Sequence, residues 1–209
     1  RSEGLPSVAA LVQRLKTEPE EALARGVAEP LTIGETAFFR DRTTFERLAE
    51  DILPDLAAAR GDKGLRIWCA GCSTGQEVYS IAMAANESAG LATGTRFEFF
   101  GSDLSERSLE KAQAGIYTQF EVQRRLPIRL LVKYFENHDD TWAISPRIRQ
   151  LVRWKRINLL ADLSVMGRFD VILLRGVLRG MDASLRAKVV QALTALLPND
   201  GVLVLDPED

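Results

Sequence analysis

The chain has 209 residues, of which 46% are hydrophobic, and a formal net charge of -2 at pH 7. This length and hydrophobic fraction suffice for one full core with a small appendage. The slightly acidic balance gives no sign of general affinity for nucleic acid or for membrane surfaces, and no apolar run approaches the ~18 residues of a membrane span. No signal-peptide pattern opens the sequence, so we expect a cytoplasmic protein.

The N-terminal part of the chain is predicted to be helical. Residues 1–33 form a polar segment that Pro30 interrupts, and Ser7 is a candidate N-cap. A short apolar stripe marks its helix at Val8, Leu11, Val12 and Leu15. A second helical stretch runs from Thr36 to about Ala59 and ends in a turn at residues 62–64.

Strands and helices alternate along most of the remaining chain. The predicted strands occupy residues 65–69, 96–101, 169–174 and 202–205. The predicted helices occupy residues 76–89, 105–113 and 183–197. Continuous runs of Val, Ile, Leu and Phe that alternate with amphipathic helices predict an α/β fold, with a doubly wound, mostly parallel sheet covered on both faces.

The segment between Tyr117 and Asn158 breaks this alternation. It contains a predicted helix up to Phe135, a turn at 137–140, and short strands at 141–144 and 151–157. We therefore predict an inserted helix and a small β-subdomain over residues 118–157. The segment also carries a basic run at Arg147, Arg149, Arg153, Lys155 and Arg156. One solvated face of a strand explains this run, and a docking surface for an acidic partner is the alternative.

The stretch from Leu65 to Met83 is the most informative part of the sequence. It predicts a buried strand, a turn of small residues at 71–75, and a helix. Backbone N–H groups and a helix N-terminus at the carboxyl end of a strand are where α/β proteins bind nucleotide-like ligands. The turn lacks the Lys of a phosphate-binding loop and is not G-x-G-x-x-G. It suits a cofactor without phosphates, and an ordinary βα turn is the alternative.

Three charged residues near this turn have both a functional and a simpler interpretation. Asp103 ends the next apolar run, where it could accept hydrogen bonds from both ribose hydroxyls; capping a helix is the alternative, but Ser105 is an equally good cap. Glu77 lies in a first helical turn, where its charge suits the helix dipole. Arg40 is either a solvated residue or a forked donor to a carboxylate. The turn and Asp103 together suggest an adenosine-containing cofactor.

The two cysteines, Cys69 and Cys72, have C-x-x-C spacing, which alone could mean a redox pair or half a zinc site. The single His, His138, is distant in sequence and no second Cys pair exists, so we predict no metal site. Reduced thiols within the turn are the simplest interpretation.

Six motifs in order resemble those of CheR, the chemoreceptor methyltransferase family of bacterial chemotaxis. They are Thr36-Ala-Phe-Phe-Arg40-Asp, Ala70-Gly-Cys-Ser-Thr-Gly-Gln-Glu-Val-Tyr-Ser80, Ser102-Asp103, Ala114-Gly-Ile-Tyr117, Asn158-Leu-Leu160 and Phe169-Asp-Val-Ile172. The resemblance implies a Rossmann-like domain that uses S-adenosylmethionine at residues 34–209, with residues 1–33 as a remnant of an N-terminal helical domain and linker. It implies methyl transfer to glutamate side chains on the cytoplasmic helices of chemoreceptors (methyl-accepting chemotaxis proteins). The products are a methyl ester and S-adenosylhomocysteine, and the expected state is a monomer.

The resemblance also implies roles for individual residues. Thr36 and Arg40 would approach the methionine part of the cofactor, and the cofactor loop would include Ala70, Gly71 and Glu77. Asp103 would bind the ribose, and the adenine would lie beside Asn158 and Leu159. Arg175 would match an Arg that the family has at the end of a strand. Arg40 is in addition the predicted catalytic residue, which would place a carboxylate of the cofactor or of the acceptor.

The sequence departs from the family on the methyl-transfer side of the predicted pocket. Gly34, Gly176 and Gly180 replace Asn, Asn and Tyr, and Leu205-Asp206-Pro207-Glu208 replaces Gly-His-Ser-Glu. These departures motivate a second hypothesis, a regulatory or scaffolding module of a chemosensory system that binds the cofactor with little or no catalysis. Methylation of a small molecule or of nucleic acid is disfavoured, because the acidic-aromatic tetrapeptide of base methyltransferases is missing.

Overall fold

The computed structural model describes residues 7–17 and 36–206. The chain divides into two compact units, Arg1–Ile33 and Gly34–Asp209. In the first unit, helix α1 spans Val8–Thr17. The N–H of Ala10 donates to Oγ of Ser7 at 3.1 Å, which confirms Ser7 as the N-cap. The predicted break at Pro30 lies outside the described residues.

The second unit contains eight strands in two sheets within its described part. In chain order they are β1 (Leu65–Ala70), β2 (Phe97–Asp103), β3 (Ile116–Thr118), β4 (Phe135–His138), β5 (Thr141–Ile144), β6 (Val152–Arg156), β7 (Val171–Leu174) and β8 (Val202–Leu205). The main sheet has the order β6-β2-β1-β7-β8, and all its strand pairs are parallel. The chain order reverses between β1 and β7, so the predicted doubly wound parallel sheet is confirmed.

Helices connect these strands. They are α2 (Arg42–Arg47), α3 (Leu53–Arg60), α4 (Gln76–Glu87), α5 (Glu106–Ala114), α6 (Gln119–Gln123), α7 (Ile128–Tyr134), α8 (Pro146–Arg149) and α9 (Ala183–Thr194). A π-helical turn, Leu48–Ile52, joins α2 to α3. Short 3-10 segments occur at Gly61–Lys63, Ser164–Met166 and Leu178–Gly180. Within the described ranges, no helix is both long and apolar enough to cross a membrane.

The two faces of the main sheet have separate hydrophobic cores. On β1, Ile67 belongs to the core that contains Val78 of α4. The neighbouring Trp68 belongs to the second core, which contains Leu193 of α9. Successive side chains of a strand point to opposite faces, so a strand covered on both sides is apolar throughout. This explains why the predicted strands are continuous apolar runs.

The helix predicted from Thr36 begins later, at Arg42. Phe38 and Phe39 instead lie in a buried turn, and Phe39 and Asp41 adopt left-handed φ angles of 45° and 61°. The N–H of Phe39 donates to Oγ of Ser80 in α4 at 2.9 Å. The phenylalanine spacing indicated a helical face, but burial of both rings favours a turn that is anchored to α4.

The inserted segment forms a three-stranded antiparallel sheet with the order β3-β5-β4. The strand predicted at 151–157 forms as β6, but it pairs with β2 at the edge of the main sheet. This corrects its predicted place within the 118–157 insertion, whose sheet ends at Ile144. Apolar periodicity identifies a strand but not its partner; here Trp154 of β6 packs closely against Gly101 of β2.

Gly101 makes this strand pairing possible. A Cβ atom at Gly101 would lie 2.4 Å from Cζ3 of Trp154 and 3.2 Å from Cγ2 of Val78. We predict that Gly101→Ala lowers the free energy of unfolding in urea by about 1–3 kcal/mol through overpacking. Gly180→Ala is the matched control, because a Cβ there meets nothing within 4 Å. Trp154→Leu should restore part of the loss, and unchanged stability of Gly101→Ala would contradict the prediction.

Candidate functional site

The predicted site residues lie along one edge of the main sheet. The carboxyl ends of parallel strands meet at the same edge, and ligands of open α/β sheets bind there, at the point where strand order reverses. The residues at these ends are Ala70 and Gly71 at β1, Asp103 at β2, Asn158 after β6, Arg175 after β7 and Asp206 after β8. Ala70 is buried as the last residue of β1, in register with Ser102 and Leu174.

The turn that follows β1 is held on two sides. The N–H groups of Gly71 and Cys72 both donate to the carbonyl oxygen of Ser102 at 2.8 Å. The hydroxyl of Tyr117, from β3 of the small sheet, donates to the carbonyl oxygen of Thr74 at 2.8 Å. The turn is therefore fixed by β2 and by the inserted sheet before any ligand binds.

Asp103 is bound to the same turn. Its Oδ2 accepts the N–H of Ser73 at 2.7 Å, and its Oδ1 accepts the N–H of Ser105 at 2.9 Å. Ser105 caps α5 as predicted, since its Oγ accepts the N–H of Ser108 at 3.1 Å. Asp103 therefore does not cap α5, although its carboxylate is engaged by two backbone N–H groups. A carboxylate offers about four acceptor positions, so about two remain for a ligand.

Four side chains form a continuous set of hydrogen-bonded ion pairs, which we call the arginine–carboxylate chain: Glu77, Arg175, Asp206 and Arg40. Asp41 also pairs with Nη2 of Arg175, at 3.7 Å. Nη1 of Arg175 donates to Oε1 of Glu77 at 2.9 Å, and its Nε donates to Oδ1 of Asp206 at 2.9 Å. The other oxygen of Asp206, Oδ2, accepts Nη2 of Arg40 at 2.9 Å. Nη1 of Arg175 also donates to the carbonyl oxygen of Arg40 at 2.9 Å. The arginine–carboxylate chain thereby joins α4, the ends of β7 and β8, and the turn before α2.

The side chains of the arginine–carboxylate chain differ in burial. The side chains of Arg175 and Asp206 are 3% exposed, whereas that of Arg40 is 28% exposed. Burial raises the pKa of Glu77 to about 7, although the charge and hydrogen bond of Arg175 lower it. Glu77 therefore changes charge near neutral pH.

The residues predicted to lie beside an adenine follow β6. The N–H of Ile157 donates to the carbonyl oxygen of Asp103 at 3.1 Å, which joins this segment to β2. Asn158 is exposed, and its Oδ1 accepts the N–H of Leu160 at 3.0 Å, while Leu159 is buried in the second core. Thr36 is half-buried, and no hydrogen bond within the described part of the chain joins it to the other predicted site residues.

A family model described as the CheR methyltransferase SAM-binding domain matches residues 34–208. The chain belongs to the CheR family. Chemotaxis protein methyltransferase 1 of Pseudomonas aeruginosa is 35% identical over 207 residues, which cover 97% of this chain and 75% of that protein. Chemotaxis protein methyltransferase Cher2 of Pseudomonas putida is 32% identical, with the same coverage. A solved structure of PKMT2 from Rickettsia typhi in complex with AdoHcy is also similar, with 15% identity, a TM-score of 0.48, and coverage of 82% of this chain and 26% of that one.

The structure shows what lies beside the glycines that depart from the CheR pattern. Gly176 has a φ of +70°, and a Cβ there would lie 3.2 Å from Nη1 of Arg40 and 3.6 Å from Oδ2 of Asp206. The guanidinium of Arg40 thus borders the space that a side chain at 176 would enter. Gly180 faces open space, and Gly34 lies outside the described residues.

The cysteine pair does not form a disulfide, since Cys69 and Cys72 are both free and buried. Burial raises the pKa of both thiols well above the usual value, so both are neutral at physiological pH. This supports the interpretation of Cys72 as a turn residue. No group of metal-ligating side chains occurs among the described residues.

Sequence reasoning missed Asp206 as a site residue. Its signal is the same as that of Asp103, an acid directly after an apolar strand, and it lies within a motif that departs from the CheR pattern. In the sequence, Asp206 is only a residue that differs from the CheR pattern. The two arginines that bind its carboxylate are brought together by the fold.

The raised pKa of Glu77 predicts a pH-dependent stability. Because the pKa in the folded state, about 7, exceeds the ordinary 4.5, ionisation of Glu77 disfavours folding. Its stabilising contribution is full below about pH 4.5 and is lost as the pH rises through about 7. We predict that the difference in free energy of unfolding between wild type and Glu77→Gln falls by about 1–3 kcal/mol from pH 5 to pH 8.

Urea unfolding at several pH values measures this difference. Glu98→Gln serves as the control, because Glu98 pairs with Arg66 on the surface, at 3.2 Å with 47% of its side chain exposed. Parallel pH profiles for wild type and Glu77→Gln would show that the burial of Glu77 does not control its ionisation.

Proposed function

We propose that this S-adenosylmethionine-dependent methyltransferase forms methyl esters on glutamate side chains in the cytoplasmic helices of chemoreceptors. The observation that carries the proposal is the match of residues 34–208 to the CheR methyltransferase domain. It is supported by the relatives, which are chemotaxis protein methyltransferases that this chain matches over 97% of its length. The site at the carboxyl edge of the sheet lies where such a domain binds its cofactor.

The chemistry of the site fits a phosphate-free cofactor that carries positive charge. This edge holds the carboxylates of Glu77, Asp103 and Asp206. A carboxylate favours a nearby sulfonium or ammonium group. S-adenosylmethionine also has a ribose diol, for which the remaining acceptor positions of Asp103 are suited.

The proposal gives a role to each predicted residue. Asp103 would bind the ribose, Asn158 and Leu159 would border the adenine, and Ala70 and Gly71 would line the pocket with backbone. Glu77 would accept the ammonium group, because an adjacent cation favours the ionised form of a buried acid. Thr36 and Arg40 would approach the carboxylate, and Arg175 would hold Glu77 and the backbone of Arg40 in place.

The reaction asks little of the protein beyond alignment. The cofactor supplies an electrophilic methyl group on a sulfonium, so the tasks of the protein are orientation and exclusion of water. An acceptor glutamate is ionised at neutral pH and needs no general base. Arg40 is suited to orient a carboxylate, since its guanidinium is fixed by Asp206 on one side and is 28% exposed.

The binding-module hypothesis loses one of its motives in this structure. Beside Gly176 lies the guanidinium of Arg40, 3.2 Å from where a Cβ would be and paired with Asp206. The arginine that the catalytic proposal needs is therefore in place despite the missing Asn.

The proposal is tested by methyl transfer from radiolabelled S-adenosylmethionine to purified cytoplasmic fragments of chemoreceptors. We expect base-labile label on glutamate with wild type, and a loss of roughly ten- to a hundredfold in kcat/KM with Arg40→Ala, the cost of one charge-assisted hydrogen bond. Arg42→Ala is the control, because Arg42 is 77% exposed and pairs within its own helix, with Glu46.

One result would contradict the proposed activity, and another would contradict the role of Arg40. Cofactor binding in titration calorimetry without any methyl transfer would favour the regulatory module. Transfer that is equally fast in wild type and Arg40→Ala would remove Arg40 from the mechanism while leaving the activity assigned.

A further inference from the structure

Asp206 is a buried carboxylate that lies between the two arginines of the arginine–carboxylate chain. It lies directly after β8, and its side chain is 3% exposed. Each of its carboxylate oxygens accepts a hydrogen bond from a different arginine at 2.9 Å, Oδ1 from Arg175 and Oδ2 from Arg40. A buried carboxylate is tolerated only when it is paired in this way.

The two arginines reach Asp206 from separate parts of the second unit. Arg175 follows β7, the strand adjacent to β8, whereas Arg40 belongs to the turn before α2. That turn is held from the other side by the hydrogen bond between Phe39 and Ser80. Asp206 is therefore the group that ties the side chain of Arg40 to the main sheet.

Gly176 complements this arrangement. Its φ is +70°, and a Cβ atom at this position would lie 3.2 Å from Nη1 of Arg40, so a side chain there would press on the guanidinium. The Asn that the family has at this position and the Asp206–Arg40 pair would thus compete for the same space. In this chain a glycine at 176 accompanies an acid at 206.

We propose that Asp206 is a positioning residue, which fixes Arg40 and Arg175 at the methionine end of the cofactor pocket and depends on Gly176 for the room to do so. This inference rests on the proposed function, because that function names the ligand of the pocket. Asp206 acts through the two arginines, and it is not assigned any contact with the reacting atoms.

A positioning role predicts a change that a merely structural role does not. Glu77 is faced by the charged groups of Arg175, Arg40 and Asp206, and by the neutral thiol of Cys69. The negative charge of Asp206 contributes to the raised pKa of Glu77. Asp206→Asn keeps the shape of the side chain and removes its charge, so the pH at which Glu77 ionises should fall.

The experiment is titration calorimetry of S-adenosylhomocysteine between pH 5.5 and 8, with methyl transfer assayed in parallel. For Asp206→Asn we expect roughly tenfold weaker binding and a midpoint of the pH dependence moved to lower pH, as expected when a charge-assisted hydrogen bond and a nearby charge are lost. Asp200→Asn is the control with unchanged binding, because Asp200 pairs with Arg60 away from this site, at 2.7 Å.

A second variant keeps the proposal testable if Asp206→Asn does not fold. Gly176→Asn should weaken binding several-fold, because the added side chain would displace Arg40. The variant should still fold, because Asn is among the residues that tolerate a left-handed φ. Gly94→Asn should bind as wild type, because Gly94 also has a left-handed φ, +92°, and a Cβ there meets nothing within 4 Å. Circular dichroism confirms folding of each variant.

The outcomes separate this inference from the proposed function. Wild-type affinity and an unmoved pH midpoint in Asp206→Asn, or wild-type affinity in Gly176→Asn, would overturn the role of Asp206 while methyl transfer by wild type still stands. Weakened binding in the variants without methyl transfer by wild type would uphold the positioning role and overturn the reaction. A wild-type protein that does not bind S-adenosylhomocysteine would overturn both.

Discussion

The guanidinium of Arg175 joins parts of the second unit that are remote in sequence. It is bound at 2.9 Å by the carboxylates of Glu77 and Asp206 and by the carbonyl oxygen of Arg40. A planar guanidinium with five donors in a fixed fork can satisfy several acceptors at once, which a lysine cannot do. The first turn of α4, the end of β8 and the turn before α2 are thereby set in one geometry. The geometry of the arginine–carboxylate chain depends on this single buried cation.

The other end of the pocket is built differently. There Asp103 accepts backbone N–H groups from Ser73 and Ser105, and Ser102 accepts two more from the turn after β1. These contacts use backbone donors that any sequence supplies, so they tolerate changes of side chain. The arginine–carboxylate chain instead depends on paired side chains, so the loss of one member leaves a buried charge without its partner.

The sequence predicted the fold more fully than the site. Apolar runs identified the main-sheet strands because both faces of that sheet are covered, as at Ile67 and Trp68. They misplaced the strand that contains Trp154, since periodicity does not reveal a pairing partner, and they extended a helix over Phe38 and Phe39, whose spacing resembled a helical face. Motifs identified Glu77, Asp103 and Arg175 as candidates. The convergence of Arg40 and Arg175 on Asp206 depends on side chains 31 and 166 residues apart, which no local pattern encodes.

The arginine–carboxylate chain also determines which charged groups of a ligand the site can accept. With Glu77 protonated, Arg40 and Arg175 face the carboxylate of Asp206 and, at 3.7 Å from Nη2 of Arg175, that of Asp41. Ionised Glu77 adds a negative charge to this set and offers an acceptor for an ammonium group. Because the pKa of Glu77 lies at about 7, either state is accessible at neutral pH, and a zwitterionic ligand that presents both groups would select the ionised state. The burial of Glu77, which opposes folding at neutral pH, thereby gives the proposed cofactor a site whose charge adjusts as it binds.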